Sequence, residues 1–389
     1  MKKILLIVSV FVLAAVFTGC AQIKGIFTTD SLKGLIVYAG VEGDGNGTFI
    51  YAISPDGKWK KRLTTGVRSD NYPAVSPDGK SVVFSSADEK YKNRLYIMDS
   101  DGGKIREIAS TEHDAELASW SPDGKRIAFL DRDSDHVTSI YVINSNGTGL
   151  KKIVSDCAHH DDYQYVPEWS ADGKYILYNK INTDDKDGNM PECLYLVNTD
   201  GSGEKLLAGN DNTRIDGCFS PDEKKVAYYM ERKEMDYNRF DNTGIFIMNF
   251  DGTGETYLAS GYRPVWSPDG TYIAFTAGNL NLTNCILLMY PDGTSPKGSQ
   301  AEDNADSEEY EDEEGNDDEG EDESSYLRIT FDDVNGVKDP VWSPDSKKIA
   351  YVTETTEIAE GALWVADVSG NSQMAIAKNV LGRSRPSWR

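Results

Sequence analysis

The chain is poor in positive charge. Its 389 residues include 40 lysines and arginines against 64 aspartates and glutamates, for a formal net charge of −24. Much of the excess lies between Glu302 and Glu323, where most side chains are acidic and none is basic. Proteins that bind nucleic acid present a basic face to the phosphates. The sequence offers no such face, so we expect no nucleic-acid partner.

Long apolar runs are also scarce. The longest, Ile4–Val16, follows Lys2 and Lys3; it is short for a membrane-spanning helix and typical of a secretory signal. It ends in Phe-Thr-Gly-Cys, which resembles the lipobox of bacterial lipoproteins and implies lipid on Cys20. An ordinary signal peptide is the alternative. We expect a signal peptide at 1–19, a lipidated tether at 20–33 and a folded domain at 34–389, exported and anchored in the periplasm or on the cell surface by lipid alone.

Cysteine and histidine are few. After Cys20 the chain has four cysteines, and their even number in an exported protein allows either disulfides or free thiols. It has four histidines, two of them adjacent in the cluster from His159 to Asp162. A catalytic zinc needs three spaced protein ligands, so we predict no metal and no cofactor. The stretch 184–189 resembles part of a calcium loop but lacks its final glutamate.

A short phrase that recurs along the sequence is the main evidence for the architecture. Near-copies of Trp-Ser-Pro-Asp-Gly-Lys recur with serines at Ser76, Ser121, Ser170, Ser220, Ser267 and Ser343. The first five serines are almost evenly spaced, and the sixth follows after a longer interval. A regular period of about 45–50 residues indicates an architecture assembled from copies of one structural unit.

One copy predicts four strands. After Trp120, the Ser-Pro-Asp-Gly residues have the composition of a type I turn. Strands are predicted at 126–130, 139–143 and 151–154, and the segment that carries Trp120 is the first strand. The strands are apolar at nearly every position, as expected where neighbours cover both faces of a sheet. Four-stranded antiparallel units of this length, repeated radially, form a β-propeller.

The ends of the chain predict how the propeller closes. Before the first copy lie second, third and fourth strands but no first strand, and the final segment Arg385–Arg389 matches a first strand without a continuation. These fragments complete one blade. We therefore expect an all-β, seven-bladed β-propeller of four-stranded antiparallel blades, closed by the C-terminal strand joining the N-terminal blade.

The acidic stretch lengthens the last spacing. It occupies about 297–325, has almost no apolar side chains and is predicted to be a disordered insertion. We expect it to replace the turn between the third and fourth strands of the sixth blade. A solvated loop, a weak calcium site and a docking arm for a basic protein are the open interpretations.

The repeated phrase, followed by Ile-Ala-Phe and a later Asp-Gly turn, resembles the propeller repeats of the TolB-like (WD40-like) family over about residues 34–389. The resemblance implies a cell-envelope protein that binds other proteins. TolB itself resembles a six-bladed propeller behind an N-terminal α/β domain, for which the short segment between Cys20 and the first predicted strand leaves no room. We therefore expect a TolB-like propeller lipoprotein that is not TolB itself.

The binding site is predicted at one mouth of the central channel, where loops lead into the first strands. These loops supply the candidate residues Asp70, Tyr72, Asp114, His159, His160, Asp162, Asp216, Arg263, Asp339 and Arg383. Carboxylates dominate blades two to five, and cations dominate blades six, seven and one. Such a mouth suits a zwitterionic or peptide-like ligand, or a metal on its acidic side; ordinary loop polarity is the alternative.

No catalytic residue is predicted. The sequence has no Gly-x-Ser-x-Gly elbow and no α/β-hydrolase segment after the propeller, which excludes an enzyme of the prolyl-oligopeptidase type. Some seven-bladed relatives are polysaccharide lyases that use channel histidines and a metal, a pattern that four histidines fit poorly. We expect a monomeric scaffold, not an enzyme, that binds an envelope protein or peptide-like ligand; a lyase and a structural or matrix role are the alternatives.

Overall fold

The computed structural model describes residues 31–42, 47–65, 69–88, 92–109, 111, 113–135, 137–157, 166–182, 191–208, 212–231, 244–278, 284–296, 326–330, 336–353, 361–381 and 384–389. Regular structure in these ranges is β-strand throughout. The same ranges hold no helix with the length and apolarity needed to cross a membrane. Cys20, His159, His160, Asp162 and Arg383 lie outside the described residues, as does the acidic stretch.

We divide the described strands into antiparallel groups of four, which we call units. Unit 1 comprises β1 (Ile36–Val41), β2 (Thr48–Ile53), β3 (Lys60–Arg62) and, from the other end of the chain, β28 (Ser387–Trp388). Unit 2 comprises β4 (Asp70–Val75), β5 (Ser81–Ala87), β6 (Asn93–Asp99) and β7 (Arg106–Ala109). Unit 3 comprises β8 (Asp114–Trp120), β9 (Arg126–Arg132), β10 (Thr138–Asn144) and β11 (Lys151–Cys157).

The remaining units repeat this order. Unit 4 comprises β12 (Glu168–Trp169), β13 (Tyr175–Ile181), β14 (Glu192–Asn198) and β15 (Lys205–Ala208). Unit 5 comprises β16 (Thr213–Phe219), β17 (Lys225–Glu231), β18 (Gly244–Asn249) and β19 (Thr256–Ala259). Unit 6 comprises β20 (Tyr262–Trp266), β21 (Ile273–Gly278), β22 (Asn284–Met289) and β23 (Leu327–Arg328). Unit 7 comprises β24 (Val337–Trp342), β25 (Lys348–Thr353), β26 (Gly361–Asp367) and β27 (Gln373–Val380). Single residue pairs also join two neighbouring units into one sheet in two places, Cys157 with Lys180 between units 3 and 4, and Gly40 with Val380 between units 1 and 7.

The hydrophobic core lies between units. Val83 and Leu95 of unit 2 pack in one cluster with Ile127 and Phe129 of unit 3. The other clusters likewise join successive units, and one joins unit 7 to unit 1. Because both faces of a unit are covered, its second and third strands are apolar almost throughout, as the sequence predicted.

The repeated phrase forms the turn between the first and second strands. In unit 3 the carbonyl of Ser121 accepts from Gly124 N at 2.8 Å. The Ser121 hydroxyl donates to Asp123 Oδ1 at 2.7 Å and accepts from Arg126 N at 2.9 Å. A further Ser-Pro-Asp-Gly turn at 54–57, absent from the predicted set, connects β2 to β3 instead. The phrase recurs because its serine and aspartate satisfy backbone donors that the turn would otherwise leave unpaired.

The two ends of the described chain meet. Ile36 of β1 pairs with Trp388 of β28, and Val37 pairs with Ser387. The first strands also follow one another in space: the contacts run from β28 to β4, β8, β12, β16, β20, β24 and back to β28. The first strands of neighbouring units thus lie side by side and border the same internal channel.

The insertion in unit 6 differs in one respect from the prediction. The hairpin turn after β22 is present, since Gly293 N donates to the Tyr290 carbonyl at 2.9 Å. The short strand β23 then pairs with β22 through Leu327 and Arg328. The extra residues therefore follow this turn and do not replace it, because the Pro-Asp-Gly sequence forms the turn by itself.

Candidate functional site

Several first strands carry an irregularity at the same place. Tyr72, Leu117, Asp216, Arg263 and Asp339 all have φ between 52° and 56°, a left-handed conformation that is uncommon for residues other than glycine. Each lies four residues before the turn serine, and the strand register shifts just after it. Strained positions of this kind cluster at functional sites. We call this irregularity the bulge. Because it recurs at the same place, we infer that it directs these side chains toward the central channel.

Charged groups meet on one side of the channel. Arg263 Nη1 donates to Asp339 Oδ1 at 2.6 Å, with only 18% and 11% of the two side chains exposed. Asp216 lies next to this pair, and its Oδ2 has no hydrogen-bond donor among the described residues. Burial raises the pKa of Asp216 to about 6, Arg263 opposes the rise, and the negative charge of Asp339 adds to it.

Glu168 and Arg385 extend this charged group. Burial raises the pKa of Glu168, and the charges of Arg385 and Arg389 oppose the rise. Glu168, Asp216, Arg263, Asp339 and Arg385 all line a cavity of about 180 Å³ within the channel. In unit order the five groups are negative in units 4 and 5, positive in unit 6, negative in unit 7 and positive in unit 1. Asp339, which pairs with Arg263, is the one of the five that departs from the predicted acidic and cationic arcs.

A larger cavity of about 900 Å³ occupies the end of the channel where the Ser-Pro-Asp-Gly turns lie. Its walls include indoles and turn prolines, namely Trp120, Trp266, Trp342, Trp388, Pro55, Pro77, Pro268 and Pro344. Glu168 and Arg385 line both cavities, so the two adjoin. The volume is in the range of small-molecule and peptide side-chain sites. We call this larger cavity the funnel.

The remaining predicted residues are dispersed. Tyr72 lines the funnel. Asp70 is buried at the start of β4, where it pairs with Ser86 of β5. Asp114 Oδ1 accepts from Asn93 N at 2.8 Å and so links two units. The structure thus brings Asp216, Arg263 and Asp339 together and leaves Asp70 and Asp114 in structural contacts.

Two lining residues were missed as candidates, Glu168 and Arg385. A signal for Arg385 was present in the sequence, because it stands at the same position of the repeat as Asp216, Arg263 and Asp339. Glu168 stands two positions further along, where the side chain returns to the channel face because successive side chains alternate in a strand. Aligning the copies on the turn serine would have found both.

In the described part of the chain we find neither a disulfide nor a cluster of residues that could bind a metal ion. Cys157, Cys193, Cys218 and Cys285 form no disulfide with one another. Cys218 Sγ donates to the Pro264 carbonyl at 3.1 Å, and burial raises the pKa of its thiol. Among the described residues no three His, Cys, Asp or Glu side chains are grouped so that they could hold a metal ion.

Comparison with known proteins identifies the fold. Residues 118–297 match the TolB beta propeller domain family, and a comparison with curated protein sequences found no match. The chain resembles the structure of TolB from Acinetobacter baumannii, with 16% identity over 91% of this chain and 82% of that chain and a TM-score of 0.52.

Two further solved structures are similar. For oligogalacturonate lyase from Vibrio parahaemolyticus the identity is 12%, the coverage 89% of this chain and 86% of that chain, and the TM-score 0.59. For the β-propeller domain of the Trilobed protease from Pyrococcus furiosus the corresponding values are 18%, 80%, 85% and 0.52. At these identities the likeness shows the fold alone. The fold is TolB-like, as the repeated phrase predicted.

Proposed function

We propose that this TolB-like propeller is a non-catalytic scaffold of the cell envelope that binds a protein or peptide-like ligand through its central channel. The observation that carries the proposal is the shared bulge in the first strands. It places Tyr72, Asp216, Arg263 and Asp339 on the channel wall in strained backbone conformations. A rigid ring that holds variable side chains at one axis is suited to recognition.

The proposal includes a closed ring of seven four-stranded blades. Three observations support it: the grouping of strands by four, the pairing of β28 with β1, and the unbroken circuit of contacts among the first strands. The hydrophobic cluster shared by units 7 and 1 is a fourth. Closure removes the exposed strand edges that a single row of blades would leave.

The proposal also includes export and anchoring. The support is the sequence at the start of the chain, with Lys2 and Lys3 before a short apolar run that ends at Cys20. Lipid on Cys20 would hold the monomeric propeller at a membrane surface, because each buried methylene contributes about 0.8 kcal/mol.

The test is capture of a partner from the native envelope. The tagged full-length protein is cross-linked in cells, solubilised in detergent and purified, and co-purifying proteins are identified by mass spectrometry. We expect a stoichiometric partner that is lost when Tyr72, Asp216 and Arg263, which line the channel, are replaced together. Retention of the partner by this variant would place the interaction elsewhere on the protein.

A second assay separates the scaffold from an enzyme. The wild-type protein and the His159→Ala/His160→Ala variant are incubated with oligogalacturonate, and unsaturated products are measured. The scaffold predicts no product from either protein and the same partner capture by both. Product formation that the histidine substitutions abolish would establish a lyase instead.

A further inference from the structure

We propose that the funnel is a receptor for a carboxylate, and that its ligand is a peptide segment with an acidic group beside apolar side chains. The inference rests on the proposed function and names the class of ligand. It also assigns the binding site to the end of the channel where the Ser-Pro-Asp-Gly turns lie, opposite the end predicted from the loops that lead into the first strands.

Two guanidinium groups inside the funnel carry the inference. Arg385 and Arg389 both line the funnel and are exposed to it. Neither makes an ion pair or hydrogen bond through its side chain with any residue of the described ranges. By contrast, Arg263 in the adjoining cavity is bonded to Asp339. Glu168 lies close enough to act on both arginines electrostatically, but no carboxylate among the described residues is hydrogen-bonded to either guanidinium, so both can bind an incoming anion.

The side chains of the funnel are locally cationic within an acidic protein. The lining contains Lys33, Lys348, Arg385 and Arg389 but only two side-chain carboxylates, those of Asp345 and Glu168. Lys348 is already paired with Asp367, so the excess positive charge comes from Lys33 and the two arginines. The Asp345 carboxylate accepts hydrogen bonds within its own turn, from the Ser343 hydroxyl and from Lys347 N. Glu168 is therefore the one lining acidic side chain, among described residues, that is placed near the arginines.

The main-chain oxygen of Arg389 is already engaged. It accepts a hydrogen bond from Gly34 N at 2.5 Å, which ties the end of the chain to the segment before β1. The contact fixes the backbone from which the Arg389 guanidinium extends. A group held on an anchored backbone loses less conformational freedom when it binds a ligand.

The surroundings of Arg385 and Arg389 strengthen the attraction of their guanidinium groups for an anion. Although open to the funnel, Arg389 is enclosed by its walls, and this burial lowers the pKa of its guanidinium; Glu168 opposes the effect and the charge of Arg385 adds to it. The two like charges repel one another, and a bound carboxylate between them would relieve that repulsion. A guanidinium also offers two parallel N–H donors to a carboxylate, which fixes the orientation of the ligand.

The walls of the funnel favour a peptide over a sugar. Trp120, Trp342 and Trp388 are only 5–6% exposed, since their indoles are packed between units. Three of the four funnel indoles are therefore not free to stack on a sugar ring, and only Trp266 is partly exposed. Aliphatic groups line the same walls, as at Val265 and Val341. Small apolar surfaces of this shape suit aliphatic or proline side chains next to the acidic group.

The experiment is isothermal titration of the full-length protein with two end-capped synthetic peptides, Leu-Pro-Val-Glu and Leu-Pro-Val-Gln. We expect the Glu peptide to bind and the Gln peptide to bind at least about tenfold more weakly, the effect of one charge-assisted hydrogen bond. Arg385→Gln and Arg389→Gln should each raise the Kd for the Glu peptide by a similar factor. Arg106→Gln removes the same group from an exposed strand outside the funnel and should leave the Kd unchanged.

Two controls keep the result interpretable. Arg389→Lys retains the charge without the paired donors and should give an intermediate Kd. The midpoint of thermal unfolding of every variant is measured, so that loss of binding is attributed only to folded protein.

The inference is overturned if the wild-type protein binds neither peptide, binds both equally, or binds the Glu peptide regardless of Arg385 and Arg389. Binding of trigalacturonate in place of the peptide, with the same dependence on the two arginines, overturns the peptide assignment. A partner captured from the envelope by the Arg385→Gln/Arg389→Gln variant would leave the proposed function standing and the funnel inference refuted. Absence of any captured partner would count against the proposed function itself.

Discussion

At the scale of single residues, one position of the repeat concentrates both strain and charge. Four residues before the turn serine, the backbone is left-handed and the side chain borders the channel. The identities at this position differ between units: Asp216, Arg263 and Asp339 are charged, whereas Leu117 and Tyr72 are not. The backbone conformation is thus common to these copies of the repeat, and the side chains determine the chemistry of the channel wall.

Replacing Asp216 by Asn should stabilise the protein above pH 6. The pKa of Asp216 in the folded state is about 6, above its ordinary value of 3.8, so the folded state holds this proton more tightly. The stability it contributes is present below about pH 4 and is lost as the pH rises through 6. A shift of about two pKa units corresponds to about 3 kcal/mol at most. The free energy of unfolding in urea is measured at pH 3.5 and pH 7.5.

Asp222→Asn is the matched control with the opposite sign. Hydrogen bonds from Lys224 and Ser220 lower the pKa of Asp222 to about 2. The contribution of the Asp222 carboxylate to stability is present above about pH 4 and is lost as the pH falls through 2. Asp222→Asn should therefore destabilise the protein at pH 7.5. If Asp216→Asn raises the free energy of unfolding by the same amount at pH 7.5 and at pH 3.5, the assigned pKa of Asp216 is wrong.

The sequence predicted part of this arrangement of single residues. The charged residues Asp216, Arg263 and Asp339 were identified from the sequence, in loops predicted to form the mouth of the channel. Their pairing was not, because the distance between Arg263 and Asp339 depends on how two units sit side by side. Arg385 and Glu168 were missed because they were judged by neighbours in sequence and not by their position in the repeat.

At the scale of elements, the turns lock one unit to the next. Gly252, in the hairpin turn between β18 and β19, has φ of 90°, and a Cβ there would lie 2.0 Å from the Leu207 carbonyl oxygen of unit 4. Gly270, in the turn between β20 and β21, has φ of 73°, but a Cβ would come no closer than 3.8 Å to any neighbour. Two glycines in similar turns therefore differ in what surrounds them.

Gly252→Ala should destabilise the protein more than Gly270→Ala. Both substitutions place alanine in the left-handed region, which costs about 1 kcal/mol. Only the first also drives a side chain into the backbone of the preceding unit, so we expect a total of about 3 kcal/mol or more. Urea unfolding of the two variants measures the difference. Equal losses would mean that the contact between units 4 and 5 relaxes freely.

Elements were the best predicted part of the molecule. The Ser-Pro-Asp-Gly and Asp-Gly turns and the apolar strands between them are local, so a short sequence specifies each. The retained turn at Tyr290–Thr294 was the exception, since the length of the insertion concealed an ordinary Pro-Asp-Gly hairpin. The bulge of the first strand was also not predicted, because its sequence varies from unit to unit.

At the scale of the whole molecule, the fold depends on the meeting of the two ends of the described chain. The last strand adds only Ser387 and Trp388 to β1, yet it completes the unit that joins the first and last parts of the core. Without it, β1 and its neighbours would expose unpaired backbone groups and apolar surface. The sequence predicted the pairing of these ends, since the incomplete units at the two ends have complementary strands.

Deletion of residues 385–389 should lower the midpoint of thermal unfolding by about 5 °C or more, because each kcal/mol lost shifts the midpoint of a large domain by about 2 °C. The Arg385→Gln/Arg389→Gln variant removes the two charges but keeps β28, and its midpoint should stay close to that of the wild type. Near-equal midpoints for the deletion and the wild type would show that β28 does not close the ring.

The central claim, that the channel is the binding site, is tested most directly by photo-crosslinking in cells. A benzoylphenylalanine replaces Tyr72, an aromatic residue that lines the funnel, or Met374, which is 45% exposed on β27 at the outer edge of unit 7. After irradiation, cross-linked proteins are identified by mass spectrometry. We predict one partner joined to position 72 and none to position 374. A partner joined at 374 and absent at 72 would contradict the claim.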